Sequence, residues 1–201
     1  MEQLSNKELK RNKLLDQGVL MLTEQGYHGT GLKEILDIVK IPKGSFYNYF
    51  ASKEEYCAEV INHYIEPFLQ RLTHHLQKPG IDGLLGLKRY YDELIDELEQ
   101  SSFKGGCLLG NLMGEIGDTS EICRNSLINA VNRYKEIQLV ALVRAQEEGV
   151  VRKDRSANMM ADLLINNWQG ALLRMKIEQS VEPLRECCET LLGDYFIAKK
   201  D

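Results

Sequence analysis

Apolar residues recur along most of this chain at every third or fourth position, the spacing of one face of an α-helix. Alternating β-branched runs, the mark of a strand, are missing. The pattern therefore predicts an all-α protein of about nine helices. The first covers 5–25, with Leu15, Val19 and Leu22 on one face and Gly26 as its stop. "YHGTG" reads as a loop, after which Thr30 or Gly31 caps a short second helix, "LKEILDIV", whose Ile35, Leu36 and Val39 face inward. "KIP" is a tight turn, and Pro42 opens a short third helix, where its missing N–H does no harm. Ser52-Lys53-Glu54-Glu55 is a capping box for a long fourth helix ending near Leu76. Further helices are expected over 82–100, for a short stretch from 107, and over 120–148, 156–179 and 182–198.

The third helix raises a packing question. "KGSFYNYFASKEE" places Phe46, Tyr47, Tyr49 and Phe50 too close together for all four rings to point inward from one short helix. Phe46 and Phe50, four apart, can share a core. Lys43, Gly44, Ser45, Tyr47, Asn48 and Tyr49 are then left on or beside the outer face. Two short helices joined by a tight turn, after a longer one, make a helix-turn-helix. Its outer face carries a cation, small polar groups, an amide and phenols, which suit a major groove. Asn48 can pair with an adenine edge and Lys43 with guanine acceptors or phosphate, while the Tyr47 ring covers a thymine methyl. Gly44 lets the backbone approach closely. Lys53, in the first turn of the next helix, is placed to hold a phosphate. Thr30 and Lys33, at the start of the second helix, complete the candidate DNA-facing set. The alternative is a tyrosine-rich core corner, which the helix-turn before it and the capping box after it disfavour.

Charge modifies this picture modestly. The chain has 201 residues and a net charge of −5, which at face value argues against nucleic acid. Residues 1–53 hold 8 Lys/Arg and 6 Asp/Glu, hence +2; subtracting these from the totals of 25 and 30 leaves 17 and 24, hence −7, in the remainder. A mildly basic front sits on an acidic body. A hydrophobic content of 43% and a charged content of 27% fit a folded domain and exclude wholesale disorder. No apolar run approaches a membrane span, and the charged start lacks a signal core. The 5 cysteines, odd in number and irregularly spaced, fit reduced thiols in a cytoplasm better than a disulfide framework.

The stretch "GYHGTGLKEILDIVKIPKGSFYNYFASKEE" resembles the DNA-binding segment of TetR-family transcriptional regulators. Thr30, Ile35, Lys43, Gly44, Tyr47, Tyr49, Phe50 and Lys53 occupy that family's pattern positions. Leu36, Lys40 and Pro42 depart from it, standing where the family commonly has alanine, a turn glycine and a capping serine. Lys40 is accordingly expected in a left-handed conformation, at a cost of about 1 kcal/mol. The resemblance implies a DNA-binding domain over 1–52 and a helical effector-binding and dimerisation domain over 53–201. It further implies a homodimer on palindromic duplex DNA and, by family habit, repression. Two recognition helices about 34–36 Å apart would read the paired half-sites. On the last helix Leu184, Cys188, Leu191 and Tyr195 form an a/d-like stripe. The preceding helix offers Met159, Leu163 and Gly170. These two helices either pair with their copies, as the resemblance implies, or pack their stripe within one chain.

"SSFKGGCLLGN" is the second informative stretch. Gly105-Gly106 break the chain, and a thiol in the first turn of the next helix would face free amides and the positive end of the helix dipole, which favour thiolate. Cys107 is then either a reactive thiol or a small buried apolar residue. "GGCLLGNLMGEIGDTSE" and "LLRMKIEQSVEPL" are similar to the TetR subgroup that represses N-ethylmaleimide reductase and responds to electrophiles. That resemblance assigns the sensor to Cys107 and Lys176. The competing effector site is a reversible pocket among the middle helices, lined by Tyr90, Tyr91, Met113, Tyr134 and Trp168. Enzymatic readings fare worse: "GGCLLG" lacks the Lys-Ser/Thr of a phosphate loop, and the histidines form no catalytic or zinc spacing. A thiol-based redox enzyme is the nearest such rival. No cofactor and no metal are expected.

Overall fold

The computed structural model describes residues 5–199. Among them are nine α-helices: α1 Asn6–Gly29, α2 Leu32–Val39, α3 Lys43–Phe46, α4 Lys53–Leu76, α5 Gly83–Gln100, α6 Leu108–Ile116, α7 Glu121–Glu147, α8 Ala157–Glu178 and α9 Glu182–Cys188. No strand occurs among the described residues; an isolated antiparallel bridge joins Val151 to Ile197. The periodicity therefore located every helix, most within a residue or two of its ends. The exception is the last. It runs as α only to Cys188 and continues as a wider π-turn over Glu189–Tyr195.

The helix ends follow their local chemistry. Ser5 and Glu8 form a reciprocal capping box on α1. Gly26, at φ 71° and ψ −178°, breaks the helical path inside α1, so the stop read from sequence is real although a last turn follows it. Gly31, not Thr30, occupies the N-cap of α2. Asp82 and Ser156 cap α5 and α8 by accepting from Leu85 N and Met159 N. Ser52 accepts from Glu55 N at 3.0 Å, but Glu55 reaches back to Ala51 N rather than to Ser52 N. Lys40 lies at φ 57°, ψ 44°, the left-handed conformation expected where a glycine is usual.

The chain forms two compact units. The first is Met1–Glu66 with Cys107–Val131; the second is Pro67–Gly106 with Asn132–Asp201. In the first, α1 packs on α2 and α6. Leu14, Leu15, Leu22, Ile35, Phe46, Phe50, Tyr56 and Ile61 form its core. The Tyr56 hydroxyl crosses that core to donate to Leu14 O at 2.5 Å. Gly18 is required there, because any Cβ would collide with the Tyr56 ring and hydroxyl. In the second, α8 packs on α9 around Leu87, Leu142, Met160, Leu164, Met175, Leu184 and Leu192. Arg144 closes the turn between α4 and α5 by donating to Leu76 O and Ile81 O, each at 3.1 Å.

Candidate nucleic-acid interface and sensor site

Phe46 and Phe50 are buried, their rings tilted against each other at 5.3 Å and edge-on to Tyr56 at 5.6 and 5.0 Å. That wedge fixes which way the rest of the segment points. Tyr47 is 54% exposed. Lys43, Gly44 and Asn48 are also exposed, and Ser45 and Tyr49 half-buried. Nothing lies within 4 Å of where a Gly44 Cβ would stand, so that corner is open. Lys33 is exposed on α2. These side chains place donors, phenols and one amide at exposed or half-buried positions on the small helices.

Two residues of the set need correcting. Thr30 is 1% exposed, and its hydroxyl donates inward to Gly26 O at 2.6 Å and Met21 O at 3.2 Å. A threonine that ties off the end of α1 has no face left for DNA. Lys53 is half-buried, with its ammonium 2.6 Å from Tyr27 O and 4.2 Å from the centre of the Tyr27 ring. Burial lowers its pKa, while the negative charge of Glu115 acts the other way. Lys53 is thus first a strut between α4 and the end of α1, with two of its three ammonium hydrogens left for any other partner.

Tyr27 is held from the other side by a residue that no spacing or motif singles out. The Glu115 carboxylate, on α6, accepts from Tyr27 N at 2.8 Å and His28 N at 2.7 Å. Gly26 must lack a side chain because a Cβ there would stand 2.5 Å from that carboxylate. Asn111, one turn earlier on α6, donates to Thr23 O at 3.4 Å. Helix α6 therefore grips the last turns of α1, and Lys53 carries the same anchor on to α4. A lone glutamate on a short helix has no spacing signature; only the tertiary contact reveals its role.

Cys107 occupies the N-cap of α6, one position before the first turn expected from sequence, and is half-buried. The segment leading to it is unusual. Ser102 and Phe103 lie at φ 56° and 63°, Gly105 and Gly106 at 81° and 71°. Left-handed backbone at a non-glycine residue costs about 1 kcal/mol each. Within the second unit, Lys176 of α8 lies against Gly106, where a Cβ would stand 2.6 Å from its Cε.

Tyr90, Tyr91 and Trp168 are buried and Tyr134 half-buried, all in the second unit. The Tyr134 hydroxyl lies 3.2 Å from that of Tyr90 and 3.5 Å from that of Tyr91; Tyr91 donates to Gln138 Oε1 at 3.2 Å. The Tyr91 and Trp168 rings are 4.6 Å apart. Burial raises the Tyr91 pKa well above the usual phenol range. Met113 does not share this setting: it is 39% exposed on α6.

A family model described as "Bacterial regulatory proteins, tetR family" matches residues 14–60, and one described as "Tetracyclin repressor-like, C-terminal domain" matches residues 83–191. The chain is also 32% identical over 174 residues to the HTH-type transcriptional repressor DhaR of Mycobacterium sp. (strain GP1), covering 87% of this chain and 86% of that one. The chain belongs to the TetR family. It is 31% identical to the HTH-type transcriptional repressor NemR of Escherichia coli (strain K12), over 87% of each chain. Its fold matches the crystal structure of reduced E. coli NemR with a TM-score of 0.86 at 29% identity, covering 95% of this chain and 98% of that one. The protein is a DNA-binding transcriptional regulator of the TetR family, with NemR among its relatives.

In this TetR-family chain the stripe read on the last helix is largely used within the protomer. Leu184 is fully buried and Leu191 6% exposed, while Cys188 and Tyr195 are half-buried, Tyr195 beneath the Arg152 guanidinium at 5.0 Å. Helix α9 packs on α8 and α5, and the π-turn after it on α5. Outward from α8 stand Met159, Leu173 and Ile177, at 38%, 59% and 82% exposure, with Gly170 open to solvent and Leu163 half-buried. No helix among the described residues is long and apolar enough to cross a membrane.

Proposed function

We propose that this regulator binds a palindromic operator as a homodimer and lets go when an electrophile or oxidant modifies Cys107. The observation carrying this reading is the half-buried Cys107 at the N-cap of α6, the helix whose Glu115 holds the end of α1. A quinone or reactive aldehyde adds to the thiolate carbon-to-sulfur. A hypohalous acid transfers its halogen to sulfur and leaves hydroxide; the Lys176 amine can then displace halide to form an S–N bond. Either adduct disturbs the N-cap of α6, and α6 holds Tyr27 and His28 through Glu115. The effector works by favouring the α6 position that fits the modified residue, and with it a poorer fit of α3 to the groove. DNA is held by Lys43, Asn48 and Tyr47, with Gly44 at close approach. The exposed Leu173 and Ile177 beside Gly170 supply apolar surface for the second copy of the chain.

Similarity to NemR, whose solved structure is described as a reduced form, supports a redox-sensitive thiol. The test is release of a bound duplex by N-ethylmaleimide or hypochlorous acid, followed by gel shift. Cys107→Ser should keep its affinity and lose the release; release at the wild-type dose would rule out Cys107 as the sensor.

A second reading, a reversible inducer bound among Tyr90, Tyr91, Tyr134 and Trp168, has one observation in its favour. Gln138 is fully buried, and its Nε2 has no partner among the described residues while Oε1 accepts from Tyr91. A small ligand with an acceptor atom could use that donor.

A further inference from the structure

Two cysteines outside the proposed sensor meet in the first unit. Cys57 is the fifth residue of α4 and 1% exposed; Cys123 is the third residue of α7 and fully buried. The Cys123 thiol reaches the first turn of α4, one turn before Cys57, and each thiol shifts the other's pKa; both are free thiols. Cys123 Sγ lies 3.5 Å from Glu54 O, and Cys123 N lies 3.4 Å from the Ser120 hydroxyl that precedes the helix. The pair thus joins the first turn of one helix to the first turns of another, 66 positions apart in the chain (123 − 57). Nothing in their spacing announces it.

We propose that Cys57 and Cys123 are an oxidant-responsive dithiol site, independent of Cys107, that closes to an intramolecular disulfide between α4 and α7. Cys123 is the attacking sulfur. It stands in the first turn of α7, where free amides and the positive dipole end favour thiolate. The hydrogen bonds from Cys57 and from Ser120 pull its pKa down, whereas the bond to Cys123 and burial push that of Cys57 up. With hydrogen peroxide as oxidant, the Cys123 thiolate attacks one oxygen. An S–O bond forms, the O–O bond breaks, and hydroxide leaves to become water. The Cys57 sulfur then attacks the sulfenic sulfur: S–S forms, S–O breaks, and the departing hydroxyl takes the Cys57 proton as a second water. The two thiols are oxidised by two electrons and the peroxide is reduced to two waters. With Cys123 Sγ already 3.5 Å from Glu54 O, one turn before Cys57, the resolving step brings together two groups held at the same end of α4, to a bonding distance of about 2.05 Å.

Burial selects the reagent. Peroxide is water-sized and can reach the pair through small fluctuations, whereas a maleimide or quinone cannot fit. Cys107 is more open.

The experiment uses the full-length reduced protein. Native N-ethylmaleimide treatment is followed by hydrogen peroxide, then denaturation, alkylation with iodoacetamide, digestion without reductant and mass spectrometry. The expected result is maleimide on Cys107 and a linked peptide joining Cys57 to Cys123, absent after dithiothreitol and absent in Cys123→Ser. Recovery of Cys57 and Cys123 as separate alkylated peptides after peroxide overturns the proposal. So does maleimide on either of them in the native step, or sulfinic acid at Cys123 without linkage. The wild-type digest decides the matter even if the serine variant fails to fold. Because Cys107 is already capped, its own chemistry cannot produce either outcome.

Discussion

Replacing Glu115 by alanine removes both acceptors that hold Tyr27 N and His28 N, at 2.8 and 2.7 Å. A hydrogen bond to a charged group contributes about 1.5–3 kcal/mol. His28 is exposed, so water takes over that amide at little loss, while Tyr27 is half-buried and its amide is less easily resolvated. The net cost should be about 2 kcal/mol rather than the sum of two full bonds. For a chain of this length each kcal/mol moves the melting temperature by about 2–4 °C, so Glu115→Ala should melt about 4–8 °C lower. Glu115→Gln keeps one acceptor oxygen and should fall between. The coupling consequence is sharper than the stability one. With α6 no longer gripping the end of α1, N-ethylmaleimide should still modify Cys107 but no longer displace the protein from a duplex selected out of a random pool. Circular-dichroism melting and fluorescence anisotropy of that duplex measure the two effects. An unchanged melt, or release as complete as in the wild type, would refute the idea that Glu115 links sensor to reading head.

The remaining expectations concern the interface and the thiol pair. Tyr47→Ala and Lys43→Ala should each weaken operator binding without lowering the melting temperature, since both side chains are exposed; loss of the Lys43 contact to a phosphate should also flatten the slope of log affinity against log salt by about 0.9. Hydrogen bonds from Cys57 and Ser120 lower the Cys123 pKa to about 7. The reactive thiolate therefore grows as pH rises, so peroxide linkage of Cys57 to Cys123 should quicken between about pH 6 and pH 8 and then level off. Stopped peroxide reactions quantified from the linked peptide would show this, and a rate still climbing steeply above pH 8 would contradict it.

Helix positions were readable because α-helical periodicity and caps are local. Ser52, Asp82 and Ser156 each announce the helix that follows. The outward Tyr47 and Asn48 were readable for the same reason, since Phe46 and Phe50 had to be inside. Long-range choices left no such trace. Leu184 and Leu191 show an apolar stripe whatever covers it, so the spacing could not say that both are buried within this chain. Thr30 marks a helix boundary whether its hydroxyl turns to DNA or to Gly26. Glu115 and the meeting of Cys57 with Cys123 depend on residues dozens of positions apart, which only the folded chain brings together. The π-turn at the end of the last helix has no sequence cue that we can identify.

The left-handed Lys40 sets stability against charge at the turn of the reading head. A glycine there would relax the turn and raise stability by about 1 kcal/mol, the strain an L-residue bears in that conformation. It would also delete an exposed positive charge at the corner between α2 and α3. In an acidic protein approaching a polyanion, that charge shortens the search for the duplex and firms the hold. The turn is thus a place where a little stability is given up for attraction, and Lys40→Gly should yield a sturdier but less adhesive regulator.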